Sequence, residues 1–171
     1  SMDIFAEGHA AGGITGYAHG NGMGRHPASA VDVALGDVDF LEIFQFNNMN
    51  TDFWYDVLSA GFRIAPAAGT DFPVNLGKWS PWPQLISPLS SERMYVKADS
   101  VLNYEGWMGG VKSGQVTLTN GPMVDFVINN KRPGDEVQVP DSEDLVSISV
   151  TVDHWRPMKE VRLIANGKVL Q

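Results

Sequence analysis

Val38 to Gln45 reads VDFLEIFQ, an apolar run with Asp39 near its start and a second carboxylate, Glu42, within it. Two other stretches share that form. Gly13 to Gly20 (GITGYAHG) runs into His19, and Arg63 to Asp71 (RIAPAAGTD) stops at Asp71. In a parallel α/β sheet or barrel the strand C-termini gather at one face, so residues distant in sequence meet there. The three stretches therefore predict three strands that bring His19, Glu42 and Asp71 to one rim.

Helical patterns fill the gaps. Pro27 suits a first helical position, Val31, Ala34 and Leu35 follow at i, i+3 and i+4, and Gly36 ends the run. A second helix is predicted from Thr51 or Asp52 to Ala60, with Phe53, Trp54, Val57 and Leu58 on one face and Gly61 as its stop. The order is β-α-β-α-β, the parallel crossover arrangement of an α/β protein. Residues 72 to 92, with four prolines and Trp79 and Trp82, interrupt it as a long loop of the kind that lids and binding loops use. Met94 to Ala98 then reads as a strand, Asn103 to Lys112 as a glycine-weakened helix, and Gln115 to Thr119 closes the series.

Beyond Asn120-Gly121-Pro122 the apolar period changes to two. Met123 to Ile128, Glu136 to Val139, Leu145 to Val152 and Val161 to Ile164 alternate or run apolar, separated by Asn129-Asn130, Pro133-Gly134-Asp135 and Asn166-Gly167. An antiparallel, sandwich-like β domain over residues 123–171 is expected to follow an α/β domain over 1–122.

The 171 residues carry 12 basic and 20 acidic side chains, a net charge of −8 without a local basic cluster, which opposes binding to nucleic acid. No apolar stretch approaches the roughly 20 residues of a membrane span. The absence of cysteine removes disulfides, thiolate nucleophiles and thiolate metal sites, and leaves an exported or periplasmic location open. Ser1-Met2 reads as a cloning remnant, and the chain as part of a longer protein. A sheet cut in this way exposes an edge, which is expected either to pair in a homodimer or to be covered by residues 1–12 and the loop at 72–92.

A catalytic zinc site takes about three histidine and carboxylate ligands and leaves a position for water, a set that His19, Asp71 and Glu42 can supply. Each has a plainer reading: a structural histidine, a turn or cap aspartate, and a glutamate on an exposed strand edge. His9 and His26 are expected to face solvent, and His154 to lie away in the β domain. The glycine clusters match neither a dinucleotide fingerprint nor a P-loop, and there is no G-x-S-x-G elbow.

Taken together, GITGYAHG, VDFLEIFQ, FWYDVLSAGFRIAPAAGTDFP, RMYVKA and SGQVTLTNGP resemble the later part of a polymerase-and-histidinol-phosphatase (PHP) superfamily hydrolase, in the branch similar to carbaryl hydrolase. VRLIANGKVL resembles that branch's appended sandwich. The resemblance implies the C-terminal part of a distorted β/α barrel followed by a β-sandwich-like domain, with divalent zinc, manganese or iron at the strand C-termini of the full-length protein. It implies hydrolysis of phosphoester, amide or carbamate-type bonds in a small-molecule substrate. His19 matches the family's mid-barrel histidine and Asp71 its late Gly-Ser/Thr-Asp aspartate, while Arg93, Trp79 and Trp82 are placed to shape the substrate pocket. The sequence departs from the family at Pro73, where a histidine often stands, and in having no early His-x-His pair. The chain on its own is therefore expected to be inactive. The alternative is a non-catalytic module that uses the same scaffold and exposed tryptophans to bind a glycan or protein.

Overall fold

The strand that organises the molecule is Phe40–Gln45, β2, whose FLEIFQ sequence buries Leu41 to 1% exposure. The structure, a computed structural model, describes residues 2–19, 28–71, 88–97, 102–139, 141 and 145–170. Helices and strands are mixed along the chain. Before β2 come α1 (Met2–Ala10), β1 (Gly16–Tyr17) and α2 (Ser29–Leu35); after it come β3 (Asn48–Met49), α3 (Asp52–Ser59) and β4 (Ala65–Ala68). Then follow β5 (Arg93–Val96), α4 (Tyr104–Lys112), β6 (Val116–Thr119), β7 (Met123–Ile128), β8 (Ile148–Asp153), β9 (Ile164–Ala165) and β10 (Lys168–Val169).

β2 pairs in parallel with β1 on one side and β4 on the other, as the β-α-β-α-β reading requires. β3 turns back antiparallel onto the end of β2 through Phe46 and Asn47, both at positive φ (53° and 54°), the geometry of a tight two-residue hairpin. Strand side chains alternate between faces. Leu41 and Ile43 of β2 join Phe5 of α1, Val33 of α2, and Phe53 and Val57 of α3 in one buried cluster. Phe40 faces the opposite way and packs with Ala65, Val111 and Val116.

Helix α1 lies beside β1, where Phe5 meets Tyr17 edge-to-face with ring centroids 5.4 Å apart. Helix α2 ends at Gly36 as expected: Gly36 has φ 76°, and its N–H and that of Asp37 bond back to Val33 and Asp32, a Schellman-type close. Its buried face, however, is not Val31, Ala34 and Leu35. Ser29, Asp32 and Val33 are buried, while Val31 and Leu35 are 57% and 56% exposed. The Tyr17 hydroxyl donates to the Asp32 carboxylate, so a polar contact sets the helix rotation. Helix α3 turns as its pattern indicates, with Phe53 and Val57 buried, although Leu58 is exposed.

The second half departs from a parallel series. β5 and β6 pair antiparallel, Arg93 opposite Thr119. One of the glycines that weaken α4 by propensity, Gly110, is what seats it. A Cβ on Gly110 would lie 2.3 Å from Val96 Cγ1, so only glycine lets the helix rest on β5. β6 lies alongside β4 without pairing to it. Ala65 donates its N–H to Asp39, just before β2, and Gly69 donates to Phe44 of β2, so by alternation Pro66 turns its nitrogen toward β6, where it has no hydrogen to offer. Among the described residues the strands do not close into a barrel.

The C-terminal stretch is β-structured, with no helix among its described residues. β7 and β8 pair antiparallel over six residues, from Met123 opposite Asp153 to Ile128 opposite Ile148. Val124, Phe126 and Ile128 thus share one face with Ile148, Val150 and Val152. β9 and β10 form a hairpin around Asn166 and Gly167, both at positive φ, as the Asn-Gly signal predicts. Glu136 to Val139, expected as a strand, is not one. The preceding loop is instead held to the α/β region. The Gly134 carbonyl accepts from Arg63 at 2.6 Å, and a Cβ on Gly134 would come within 2.4 Å of the Ser113 oxygen.

Candidate functional site

Because β1, β2 and β4 are parallel neighbours, the residues just beyond their C-termini share one rim. His19 follows β1 and Asp71 follows β4, one on each side of β2, and both hold left-handed backbone (φ 60° and 54°). Non-glycine residues pay for that conformation, and such residues cluster where a side chain must be aimed. The sequence patterns at both strand ends thus lead to the same kind of aimed position.

Between them, Glu42 accepts the His19 backbone N–H at 2.9 Å. Its other oxygen faces Gly69, where a Cβ would stand only 2.7 Å away. Burial pushes the Glu42 carboxyl above its ordinary range; the His19 N–H and imidazole pull it down, and the negative charge of Asp71 pushes it up again. Glu42 therefore lies within electrostatic reach of both other candidates.

One residue of this cluster was not anticipated from the sequence. The Gln45 Oε1 lies 2.7 Å from His19 Nδ1, and Gln45 is only 2% exposed. Strict alternation would send positions 42 and 45 to opposite faces. The β2–β4 register shifts between Glu42 and Phe44, two residues of β2 spanning one step of β4. A bulge of this kind re-aims side chains, and here both Glu42 and Gln45 reach His19. The available signal was a polar residue closing an apolar run, with no way to place the bulge.

Arg93 reaches the same end of the molecule. Its neighbour Glu92, 4% exposed, accepts the Asn47 backbone N–H at 2.5 Å, and Asn120, after β6, donates to the Asn47 side chain at 2.9 Å. The turn after β2, the start of β5 and the end of β6 are thereby tied together. The Arg93 Nε is buried without a hydrogen-bond partner among the described residues. Trp79, Trp82 and His26 lie outside the described residues.

His9 corrects an expectation. It does not simply face solvent; its Nε2 lies 2.8 Å from Asp39 and 3.1 Å from the Thr15 hydroxyl. Asp39 precedes β2, so this cluster sits at the end of the strand opposite to His19. Lys112 of α4 approaches the same carboxylate at 3.3 Å. Burial raises the Asp39 carboxyl, but the Thr15 N–H, His9 and Lys112 outweigh it and leave it below its ordinary range.

His19, Glu42 and Asp71 offer the right donor types, but among the described residues no three histidine, aspartate or glutamate side chains form a group that could hold a metal ion. No described helix is long and apolar enough to cross a membrane. No family model, curated protein or solved structure matches the chain.

Proposed function

We propose that this chain contributes to a metal-dependent hydrolase of the polymerase-and-histidinol-phosphatase type, residues 1–122 forming the later part of its barrel and residues 123–171 a sandwich-like appendage. The observation that carries this reading is the pairing of His19 and Asp71. They lie just past the ends of β1 and β4, the two parallel strands on either side of β2, both in strained backbone, with the carboxylate of Glu42 within electrostatic reach of each. Parallel sheets present their ligand sites at this end.

The donor chemistry fits a divalent ion in kind: one imidazole and two carboxylates suit zinc, manganese or iron. In this arrangement His19 and Asp71 hold the ion. Glu42 is the third donor or, through the His19 N–H, the anchor of the first. Since no such group is complete among the described residues, this reading calls for further donors beyond these three. A bound ion there supplies Lewis acidity, which brings phosphoester, amide or carbamate hydrolysis within reach at neutral pH. Arg93, whose Nε has no partner among the described residues, is in this reading the residue that takes an oxygen of the small-molecule substrate; Trp79 and Trp82, expected to shape the pocket, lie outside the described residues.

The test is hydrolysis of a phosphomonoester, an anilide and an aryl carbamate by the longest natural form of the protein. Turnover should require Zn²⁺, Mn²⁺ or Fe²⁺, stop with chelator, and fall at least a hundredfold in H19A and D71A. If every substrate is untouched and neither variant alters metal content, the scaffold is a binding module instead.

A further inference from the structure

The imidazole of His19 has two nitrogens, and only the one without a proton can bind a metal. Which one that is depends on what the other nitrogen meets. Here Nδ1 meets the Gln45 carboxamide oxygen at 2.7 Å. An oxygen cannot donate, so the bond forms only if Nδ1 carries the proton, and Nε2 then keeps its lone pair. No hydrogen bond to Nε2 occurs among the described residues. We propose that Gln45 is a positioning residue that fixes His19 in the Nδ1–H tautomer and directs Nε2 to the metal. This rests on the metal-site reading above.

Three features make Gln45 suited to that task. Its burial removes the competing water that would otherwise satisfy Nδ1. Its place in the β2 ladder, paired with Asn48 across the hairpin, fixes its backbone. The register shift at Glu42 and Phe44 aims it at His19, while Glu42 holds the His19 main chain at 2.9 Å. Backbone and ring are thus fastened by two residues of one strand. Outer hydrogen bonds of this sort set ligand orientation, and their loss costs about 10–100-fold in metal affinity.

The experiment has two readouts. In ¹⁵N-labelled protein without metal at pH 8.5, above the ordinary titration range of an imidazole, the long-range ¹H–¹⁵N spectrum should give His19 a pyrrole-like Nδ1 and a pyridine-like Nε2. Q45M, which keeps the volume but removes the acceptor, should lose this preference, and Q45E, which restores an acceptor, should recover it. A proton on Nε2 in the wild type, or an unchanged tautomer in Q45M, overturns the role of Gln45. If Q45M does not fold, the wild-type tautomer and its retention in Q45E still decide. Zinc affinity is measured separately on the same proteins. It should fall about tenfold or more in Q45M and stay near wild type in Q45E, and equal affinity in Q45M would also overturn the proposal. Absence of zinc binding in every protein, with the tautomers as expected, rejects the metal-site reading and with it the functional half of the proposal.

Discussion

The two ends of this chain use the same apolar residue types and reach opposite results. Around β2 and β4, Leu41, Ile43, Phe44, Ala65 and Ala67 are buried by helices and neighbouring strands. In β7 to β10 no described residue is buried, and Ile148, Val150, Ile164 and Val169 are all exposed. Crossover helices cover a parallel sheet as part of its own connectivity, whereas an antiparallel ribbon acquires a covered face only from another sheet or helix packed on it. The apolar faces of β7 and β8, Val161 and Leu163 line a cleft of about 480 Å³ rather than a filled core. The α/β region supplies its own packing; the C-terminal strands leave theirs unfinished.

The largest expected effect lies in that contrast. Leu41→Ala should cost about 2–5 kcal/mol, the range for a fully buried leucine, whereas Val150→Ala, at a residue 41% exposed, should cost about 1 kcal/mol or less. Urea denaturation of both variants measures this. Equal losses would mean that the ribbon is packed as tightly as the central sheet. Next in size is Gly16→Ala. Its new Cβ would meet the Phe40 carbonyl oxygen at 2.5 Å, so β1 must move off β2 at a cost of about 1–3 kcal/mol, and His19 with it. A variant of wild-type stability would show that β1 is free to shift.

Hydrogen exchange sharpens the comparison without mutation. Amides of Phe40 to Phe44 should be among the slowest, and those of Ile148 to Asp153 faster by at least tenfold. The reverse order would make the C-terminal ribbon the stable unit. A smaller effect follows from Asp39. Its carboxyl is held below the ordinary value of 3.8, so its contribution is present above that value and is lost as pH falls through the lowered one. Stability should drop in acid below about pH 4, and less steeply in D39N. Identical acid profiles would remove Asp39 from that role.

Much of the α/β layer was legible because its signals are local. Gly36 and Gly61 ended helices where they stood, and β1, β2 and β4 run parallel with His19 and Asp71 just past the ends of the outer two and Glu42 within β2. What was not legible depends on contacts between distant residues. The rotation of α2 is set by Tyr17 and Asp32, not by the valine and leucine that make its pattern. Gln45 needed a bulge that period-two reasoning cannot foresee. Pro66 sat in plain view, and only the strand order showed that its missing N–H faces β6. Helix α1 and the His9–Asp39 contact had no periodic signature strong enough to mark them. The apolar alternation marked β7 and β8, but Glu136 to Val139 forms no strand and Val161 to Ile164 meets β9 only at Ile164, and pattern alone does not state what covers the strands.

The most direct test of the proposed metal position is paramagnetic broadening by Mn²⁺ in the ¹H–¹⁵N spectrum, which detects even weak occupancy. Titration of the protein as it stands should broaden the amides of His19, Glu42, Thr70 and Asp71 first, and this selectivity should vanish in H19A and in D71A. Broadening that begins at exposed acidic residues elsewhere and is unchanged in both variants would contradict the placement of a metal at this rim.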